Sequence, residues 1–291
     1  MRARAHIATH MPCRGRAGLS SVQDMTILVT GATGNIGRML VDHLLARGAT
    51  DVRALTNHPD KAQLPGSVMV VEGYLRRLDS LPAAFDGVDS LYLAPTPDTA
   101  PDALALAKQA GVRHVVDLSG PHDGHWGDVA RAVEASGIEW THLWPGEFME
   151  NAGILAPQIA AGDTVREPYP TAANAPIAMD DIAEVAAVAL LEDGHVGASY
   201  ELTGPETITR ADLVRLLGAA LGRNIEYRQV SLDEAVEVLS PAMGEYARWY
   251  LDGMASLVDA PQQSNRLVEQ LTGRPATTFA QWAAAHAGEF R

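Results

Sequence analysis

Short apolar runs alternate with segments of helical periodicity along the first half of the chain. A β-branched run at 26–30 ends in glycine, and the next segment repeats apolar residues at helical spacing until Gly48. The same alternation predicts further strands at 51–56, 68–72, 89–94, 113–118 and 139–144, and helices at 78–85, 101–110 and 125–136. Strands and helices in this order are typical of an α/β fold, a doubly wound parallel sheet covered by helices on both faces.

The regular alternation ends around Pro145. Segment 146–178 is rich in proline and predicts loops, and a helix at 181–191 and a short strand at 199–202 follow it. Helical patterns then dominate, at 209–221, 231–239, 242–256, 262–271 and 277–289. We therefore expect a sheet domain at 25–148, joined by about 178–200, and a smaller, mainly helical part at 149–177 and 201–291.

Composition and charge exclude several classes of protein. The chain has 291 residues, a net charge of −14 and one cysteine, Cys13, which excludes a disulfide scaffold and a cysteine zinc site. A negative surface repels nucleic acid and anionic membranes, and no apolar run is long enough to span a bilayer, so we expect a cytoplasmic protein. Residues 1–24 are rich in arginine but lack the apolar stretch of a secretory signal, and we expect a disordered leader.

The clearest motif follows the first predicted strand. Gly31, Gly34 and Gly37 have the spacing G-x-x-G-x-x-G at the point where a helix begins. Such glycines permit a tight turn, let the backbone approach a pyrophosphate and bring the helix close to the strand. The free N–H groups of the helix N-terminus attract the phosphates. The motif predicts a dinucleotide-binding domain of the Rossmann type.

The residue types at the end of the second predicted strand indicate which dinucleotide is bound. NAD-specific domains usually carry an acidic residue there, which binds the ribose 2′-hydroxyl. This chain instead has Thr56, Asn57 and His58, followed by Lys61, which is one of only two lysines in the sequence. These neutral or basic residues suit a 2′-phosphate, so the sequence favours NADP (NADPH) over NAD.

Six motifs occur together in one order. They are GATGNIGR at 31–38, RALTNHPDKA at 53–62, WTHLWPGEFMEN at 140–151, DDIAEVAAVAL at 180–190, LTGPETIT at 202–209 and LTGRPATTF at 271–279. With this combination the chain resembles, over residues 25–291, the NmrA-like branch of the atypical short-chain dehydrogenase/reductases. The resemblance implies that the helical part binds a substrate beside the dinucleotide.

The resemblance also implies the residues that bind the cofactor. Its phosphate loop would consist of Gly31, Thr33, Gly34, Asn35, Ile36 and Gly37. Two groups would border the riboses, namely Thr56, Asn57 and Lys61 on the adenosine side and Ala94, Pro95 and Thr96 on the nicotinamide side. Pro145 and Gly146 would face the nicotinamide. After strand three, Tyr74 replaces the acidic residue that relatives often have, and we expect its ring to stack on adenine.

The chain departs from the wider superfamily in its proton-transfer residues. No tyrosine in the sequence has a lysine four positions later, so the usual Tyr-x-x-x-Lys pair is missing. The candidates that remain near strand five are His122 and His125, with Ser119 as a hydrogen-bonding group, because imidazole titrates near neutral pH. The two histidines have metal-ligand spacing, but the sequence offers no evident third ligand and we expect no metal.

Large apolar side chains fall on the segments expected to surround the nicotinamide. By the resemblance, Phe148, Met149 and Asn151 begin the substrate pocket. The other candidates are Trp126, Trp144, Met243, Trp249 and Tyr250. Such residues predict a pocket for a flat ring molecule, although any one of them could instead fill the interface between the two parts of the chain.

Three functions are compatible with these patterns. The sequence favours an NAD(P)H-dependent oxidoreductase acting on a quinone, an enone or an aromatic polyketide-like small molecule, because such acceptors stabilise their own reduced anions. A non-reducing enzyme of coupling, cyclisation or isomerisation stays open, as does a non-catalytic redox sensor that binds the dinucleotide. A homodimer formed through helices 242–256 and 277–289 also stays open.

Overall fold

A seven-stranded parallel sheet organises the structure, a computed structural model that describes residues 25–124 and 126–291. The strands in these ranges are β1 Thr26–Val29, β2 Asp51–Thr56, β3 Met69–Glu72, β4 Ser90–Leu93, β5 His114–Leu118, β6 Glu139–Pro145, β7 Thr164–Glu167, β8 Ala173–Asn174, β9 Ala198–Leu202, β10 Ile208–Thr209 and β11 Glu226–Gln229. The sheet has the order β3-β2-β1-β4-β5-β6-β9. The predicted doubly wound α/β fold of the Rossmann type is confirmed.

Helices cover both faces of this sheet. The α-helices of the described ranges are α1 Asn35–Ala46, α2 Leu81–Phe85, α3 Ala100–Ala110, α4 Gly127–Ser136, α5 Ala156–Ala161, α6 Met179–Leu191, α7 Arg210–Leu221, α8 Leu232–Met243, α9 Tyr246–Asp259, α10 Leu267–Thr272 and α11 Phe279–His286. Helices α1 and α6 pack on one face, and α2, α3 and α4 pack on the other. Within these ranges, no helix combines the length and the apolar character needed to cross a bilayer.

Alternate residues of β1 contribute to two different cores. Ile27 and Val29 pack with α1 and α6, whereas Leu28 packs with the helices of the opposite face. All three side chains are fully buried. A central parallel strand needs apolar residues on both faces, which explains why this run is continuous rather than alternating.

Segment 146–178, predicted to be rich in loops, contains α5 and two strands. Strand β7 pairs in parallel with β11, with Thr164 opposite Glu226. Strand β8 pairs antiparallel with β10, with Ala173 opposite Thr209. The sequence did not reveal these strands because they are short and their partners lie far along the chain. The predicted helix at 262–271 likewise begins only at Leu267.

Buried polar contacts attach the C-terminal segment to α6. Asp181, a fully buried residue of α6, accepts hydrogen bonds from the backbone N–H of Thr277 at 2.8 Å and from its hydroxyl at 3.1 Å. The guanidinium of Arg274 lies 2.9 Å from the same carboxylate and also contacts Glu184. These contacts hold the segment that leads into α11 against the sheet domain.

Candidate functional site

The glycine loop joins β1 to α1 with the geometry that the motif predicts. Gly31 has a φ of +62°, and the N–H of Gly34 donates to its carbonyl at 2.9 Å. A Cβ atom on Gly37 would lie 2.2 Å from the same carbonyl oxygen, so the close approach of the helix to the loop requires glycine. Gly34 caps α1 without a side-chain hydrogen bond, which leaves the first N–H groups of the helix available to an anion.

The end of β2 lies next to this loop. Thr56 is buried, and its hydroxyl lies 3.3 Å from the hydroxyl of Thr33 and accepts the N–H of His58 at 3.2 Å. Asn57 and Lys61 follow on the exposed surface. The carboxyl ends of β1 and β2 therefore bring the predicted phosphate loop next to the residues predicted to border the adenosine ribose.

Residues of α1 and of the loop after β3 extend the surface formed by the glycine loop and the end of β2. Arg38 of α1 donates to the carbonyls of Ala62 at 2.7 Å and Gln63 at 2.8 Å, which holds the segment after Lys61 against α1. Tyr74 lies just beyond β3, the strand next to β2, and is 43% exposed. Its ring therefore remains accessible to a planar ligand at this edge of the sheet.

The residues after β4 form the next part of the surface at the carboxyl ends of the strands. The N–H of Ala94 donates to the hydroxyl of Thr30 at 2.9 Å, so the backbone after β4 lies against the end of β1. Thr96 is buried, and among the described residues its hydroxyl has no hydrogen-bond partner. An orphaned buried hydroxyl beside a glycine loop fits a ribose or phosphate oxygen, so the residues present here fit a bound dinucleotide.

A cavity of about 640 Å³ opens at the carboxyl ends of β4, β5 and β6. One wall comes from these strand ends and the opposite wall from α9. The sequence-predicted residues that line it are Pro95, Ser119, Trp126, Pro145, Gly146, Phe148, Asn151, Trp249 and Tyr250. Trp126 and Trp249 are 44% and 64% exposed, whereas Tyr250 is buried. The cavity thus has aromatic side chains both at its surface and in its interior.

Three polar residues that line the cavity, Glu147, Asn174 and Gln262, were not predicted from the sequence. Glu147 receives hydrogen bonds on Oε1 from Asn151 Nδ2 at 3.1 Å and from the Tyr250 hydroxyl at 3.3 Å. Burial raises the pKa of its carboxyl, and these hydrogen bonds oppose the rise only in part. Asn174 is buried, and within the described part of the chain its Nδ2 has no partner. Glu147 and Asn174 both line the cavity.

Ser119 lies in the cavity wall and is supported from behind by a layer of polar side chains. Its hydroxyl accepts a hydrogen bond from Trp144 Nε1 at 3.1 Å. The ring of Trp144 stacks on His142 at a centroid distance of 5.8 Å, and His142 Nδ1 lies 2.5 Å from Asp117 Oδ2. Burial raises the pKa of Asp117, while His142 and the Ser119 hydroxyl favour its charged form. This layer positions Ser119 from behind.

Several predicted site residues lie elsewhere. Trp144 stacks behind the wall, Met149 packs in the core of the C-terminal part, and Met243 lies at the end of α8 against a separate cluster. His122 is about half exposed, and its Nε2 lies 3.1 Å from a carboxylate oxygen of Glu134. These four are outside the cavity lining. His125 lies outside the described residues.

A weak signal in the sequence pointed to the residues that were missed. Asp117 is a carboxylate within the apolar strand HVVDL, and Glu147 is a carboxylate two residues after the end of β6. A charged residue in such a position needs a partner or a function. Asn174 and Gln262 gave no comparable signal, because only the tertiary structure brings β8 and the segment after α9 to the cavity.

The chain is similar to known reductases over most of its length. It is 34% identical over 283 residues to a (4-alkanoyl-5-oxo-2,5-dihydrofuran-3-yl)methyl phosphate reductase of Streptomyces griseus, covering 91% of this chain and 99% of the relative. It is 35% identical over 290 residues to an NAD(P)H azoreductase of Xenophilus azovorans, with the same coverage.

A solved structure and a family model agree with these relatives. An NADPH-dependent quinone oxidoreductase of Escherichia coli superimposes with a TM-score of 0.77 at 25% identity, covering 89% of this chain and 99% of that one. The model of the NmrA-like family matches residues 23–283. The match extends from just before β1 into α11 and includes both the glycine loop and the cavity. The chain belongs to the NmrA-like family.

Proposed function

We propose that the protein is an NAD(P)H-dependent oxidoreductase that reduces a small conjugated acceptor, such as a quinone, an enone or an aromatic polyketide-like molecule. One observation carries the proposal: the cavity shares Pro95, Pro145 and Gly146 with the surface assigned to the nicotinamide. In doubly wound sheets, dinucleotides bind across the carboxyl ends of the strands at the point where the strand order reverses, which here lies between β1 and β4. A ligand in the cavity would therefore lie beside the reactive ring.

The cofactor would be held by the backbone of the glycine loop and by the strand ends. Gly31, Gly34 and the N-terminus of α1 would bind the pyrophosphate, and Thr96 would bond to the nicotinamide ribose. Asn57 and Lys61 would bind a 2′-phosphate, which supports NADPH as the preferred cofactor. When bound, the reduced nicotinamide supplies a hydride. The names of the azoreductase and the quinone oxidoreductase include NAD(P)H or NADPH, in agreement with this assignment.

The cavity favours a flat and mainly apolar substrate. Its walls carry Phe148, Tyr250 and Trp126, whose ring faces suit stacking against another ring. Three relatives are named as reductases or oxidoreductases of azo, quinone and 4-alkanoyl-5-oxo-2,5-dihydrofuranyl compounds, and each of these groups is conjugated. A redox sensor that only binds the dinucleotide needs no such cavity, so the cavity supports catalysis over sensing.

A cofactor titration followed by turnover tests the proposal. Purified protein is titrated with NADPH and, separately, with NADH, and the fluorescence of the bound nicotinamide is followed. We expect micromolar binding with NADPH preferred, and then loss of NADPH absorbance when a quinone or enone is added. Failure of both nucleotides to bind would refute the proposal. Conversion of a substrate without consumption of NADPH would instead support a coupling or isomerising enzyme.

A further inference from the structure

Glu147 has an unusual position for a carboxylate. It follows Gly146 at the end of β6 and lines the apolar cavity. Asn151 and Tyr250 both donate to Oε1, as described above, so Oε2 receives neither of these hydrogen bonds. Both donors also line the cavity. The carboxyl group is thus held in one orientation at the place where a substrate would bind.

Burial, rather than the charges around it, favours the protonated form of Glu147. Arg210 is the cation whose charge acts on it, but Arg210 already forms a bidentate pair with Glu167, at 2.6 and 3.0 Å. Arg210 and Glu167 are 4% and 2% exposed. The guanidinium is therefore engaged by Glu167, whose charge favours the protonated form of Glu147 and partly offsets the opposite effect of Arg210. Burial accordingly raises the pKa of Glu147.

Reduction of a conjugated carbonyl requires a proton donor, which normally contributes a factor of about 10²–10⁴ to the rate. The sequence has no Tyr-x-x-x-Lys pair to supply it. His122 lies outside the cavity lining, against Glu134. Glu147 lines the cavity directly and combines a buried carboxyl with two fixed hydrogen-bond donors.

We infer that the carboxyl of Glu147 is the proton donor of the reaction, an assignment that rests on the proposed reductase function. The acceptor receives a hydride, with its two electrons, from the reduced nicotinamide. The O–H bond of Glu147 breaks, its electron pair stays on the carboxylate, and its proton forms a new O–H bond on the acceptor oxygen. The hydrogen bonds from Asn151 and Tyr250 stabilise the resulting carboxylate, which regains a proton from water at the open side of the cavity.

The neighbouring Glu150 provides a matched control. It lies three residues further along, and burial raises its pKa as well. Its carboxylate instead accepts hydrogen bonds from the N–H of Met179 and from Trp282 Nε1, each at 3.2 Å, and is not part of the cavity lining. Glu147→Gln and Glu150→Gln make the same chemical change at two buried sites.

We expect Glu147→Gln to lower kcat for quinone or enone reduction by about 10²–10⁴, with unchanged affinity for NADPH. Glu150→Gln keeps the wild-type turnover. The kcat of the wild-type protein should fall as pH rises through the raised pKa of Glu147, and Glu147→Gln should abolish this dependence. Tyr250→Phe removes a donor to the carboxylate and should move the decline to higher pH.

The protonated carboxyl can also be observed without turnover. The infrared difference spectrum of the wild-type protein minus Glu147→Gln at pH 7 should contain the carbonyl band of a protonated carboxylic acid. Absence of this band would overturn the assignment. So would wild-type turnover by Glu147→Gln, or a loss of turnover confined to His122→Ala. If the wild-type protein binds no NADPH, the proposed function fails and this assignment fails with it.

Discussion

Nδ1 of His142 lies 2.5 Å from Oδ2 of Asp117, and neither side chain has any exposed surface. The two residues are opposite one another in the register of β5 and β6. The rings of Trp140 and Trp144 stack on His142 at 4.0 and 5.8 Å. Since Trp144 donates to Ser119, this buried pair supports the wall of the candidate active site.

The Asp117–His142 pair should show strong energetic coupling. Removing one partner leaves the other buried and unpaired, so Asp117→Val and His142→Phe should each lower the free energy of unfolding by about 3–5 kcal/mol. The double variant should lower the free energy of unfolding by far less than the sum of the two single effects. Urea denaturation of the three variants measures this coupling. Strictly additive costs would show that the two side chains do not depend on each other.

Gly34 and Gly37 should respond differently to substitution. Gly34 has an extended backbone, and a Cβ there would lie 3.2 Å from the Gly31 carbonyl, so Gly34→Val should keep the fold but lose dinucleotide binding. Gly37→Ala forces the helix away from the loop and should lower stability by about 1–3 kcal/mol in addition. Fluorescence titration and thermal unfolding distinguish the two effects. Unchanged NADPH affinity in Gly34→Val would refute the assignment of the loop.

Lys61 should select NADPH over NADH. A charge-assisted bond to the 2′-phosphate contributes about 1.5–3 kcal/mol, so Lys61→Ala should weaken NADPH binding by about tenfold or more and leave NADH binding nearly unchanged. Lys108→Ala is the control, because the ammonium of this other lysine, near the C-terminal end of α3, donates to the carbonyl of Ser136 at the end of α4. Equal losses for the two nucleotides would place Lys61 outside the phosphate site.

His114 should make the fold sensitive to acid. Burial lowers its pKa to about 4, and Thr141, which donates to the His195 carbonyl, accepts the Nε2–H of His114 at 3.0 Å. The unfolded chain takes up this proton near pH 6.5, so stability decreases as pH falls from 6.5 to 4, by up to about 1.4 kcal/mol per pH unit.

His114→Gln should make the free energy of unfolding less dependent on pH between 4 and 6.5. The same change at the exposed His58 should leave the pH dependence unaltered. Urea denaturation between pH 4 and 7 provides the measurement. A slope in His114→Gln equal to that of the wild-type protein would show that other groups take up the proton.

The sheet could be predicted from the sequence because its signals are local. Continuous apolar runs such as Thr26–Val29 identify buried parallel strands, and the three glycines mark the first turn before a helix. The strands β7 and β8 could not be predicted, because each is short and is stabilised by a partner far along the chain. The predicted boundaries of the C-terminal helices differ from the observed ones for the same reason. For example, the helix predicted at 262–271 begins only at Leu267.

The sequence by itself determined the fold class and the position of the glycine loop, since these depend on periodicity and on the conformational demands of glycine. Its resemblance to the family indicated many of the residues that line the cavity. Only the tertiary structure decided which polar groups face the cavity. Burial raises the pKa of Glu147, Glu167 engages the nearby Arg210, and a hydrogen bond from Tyr250 on α9 orients the carboxyl. These contacts join residues far apart in the chain, and the cost of burying charge, which raises the pKa of Glu147, exists only once they are packed together.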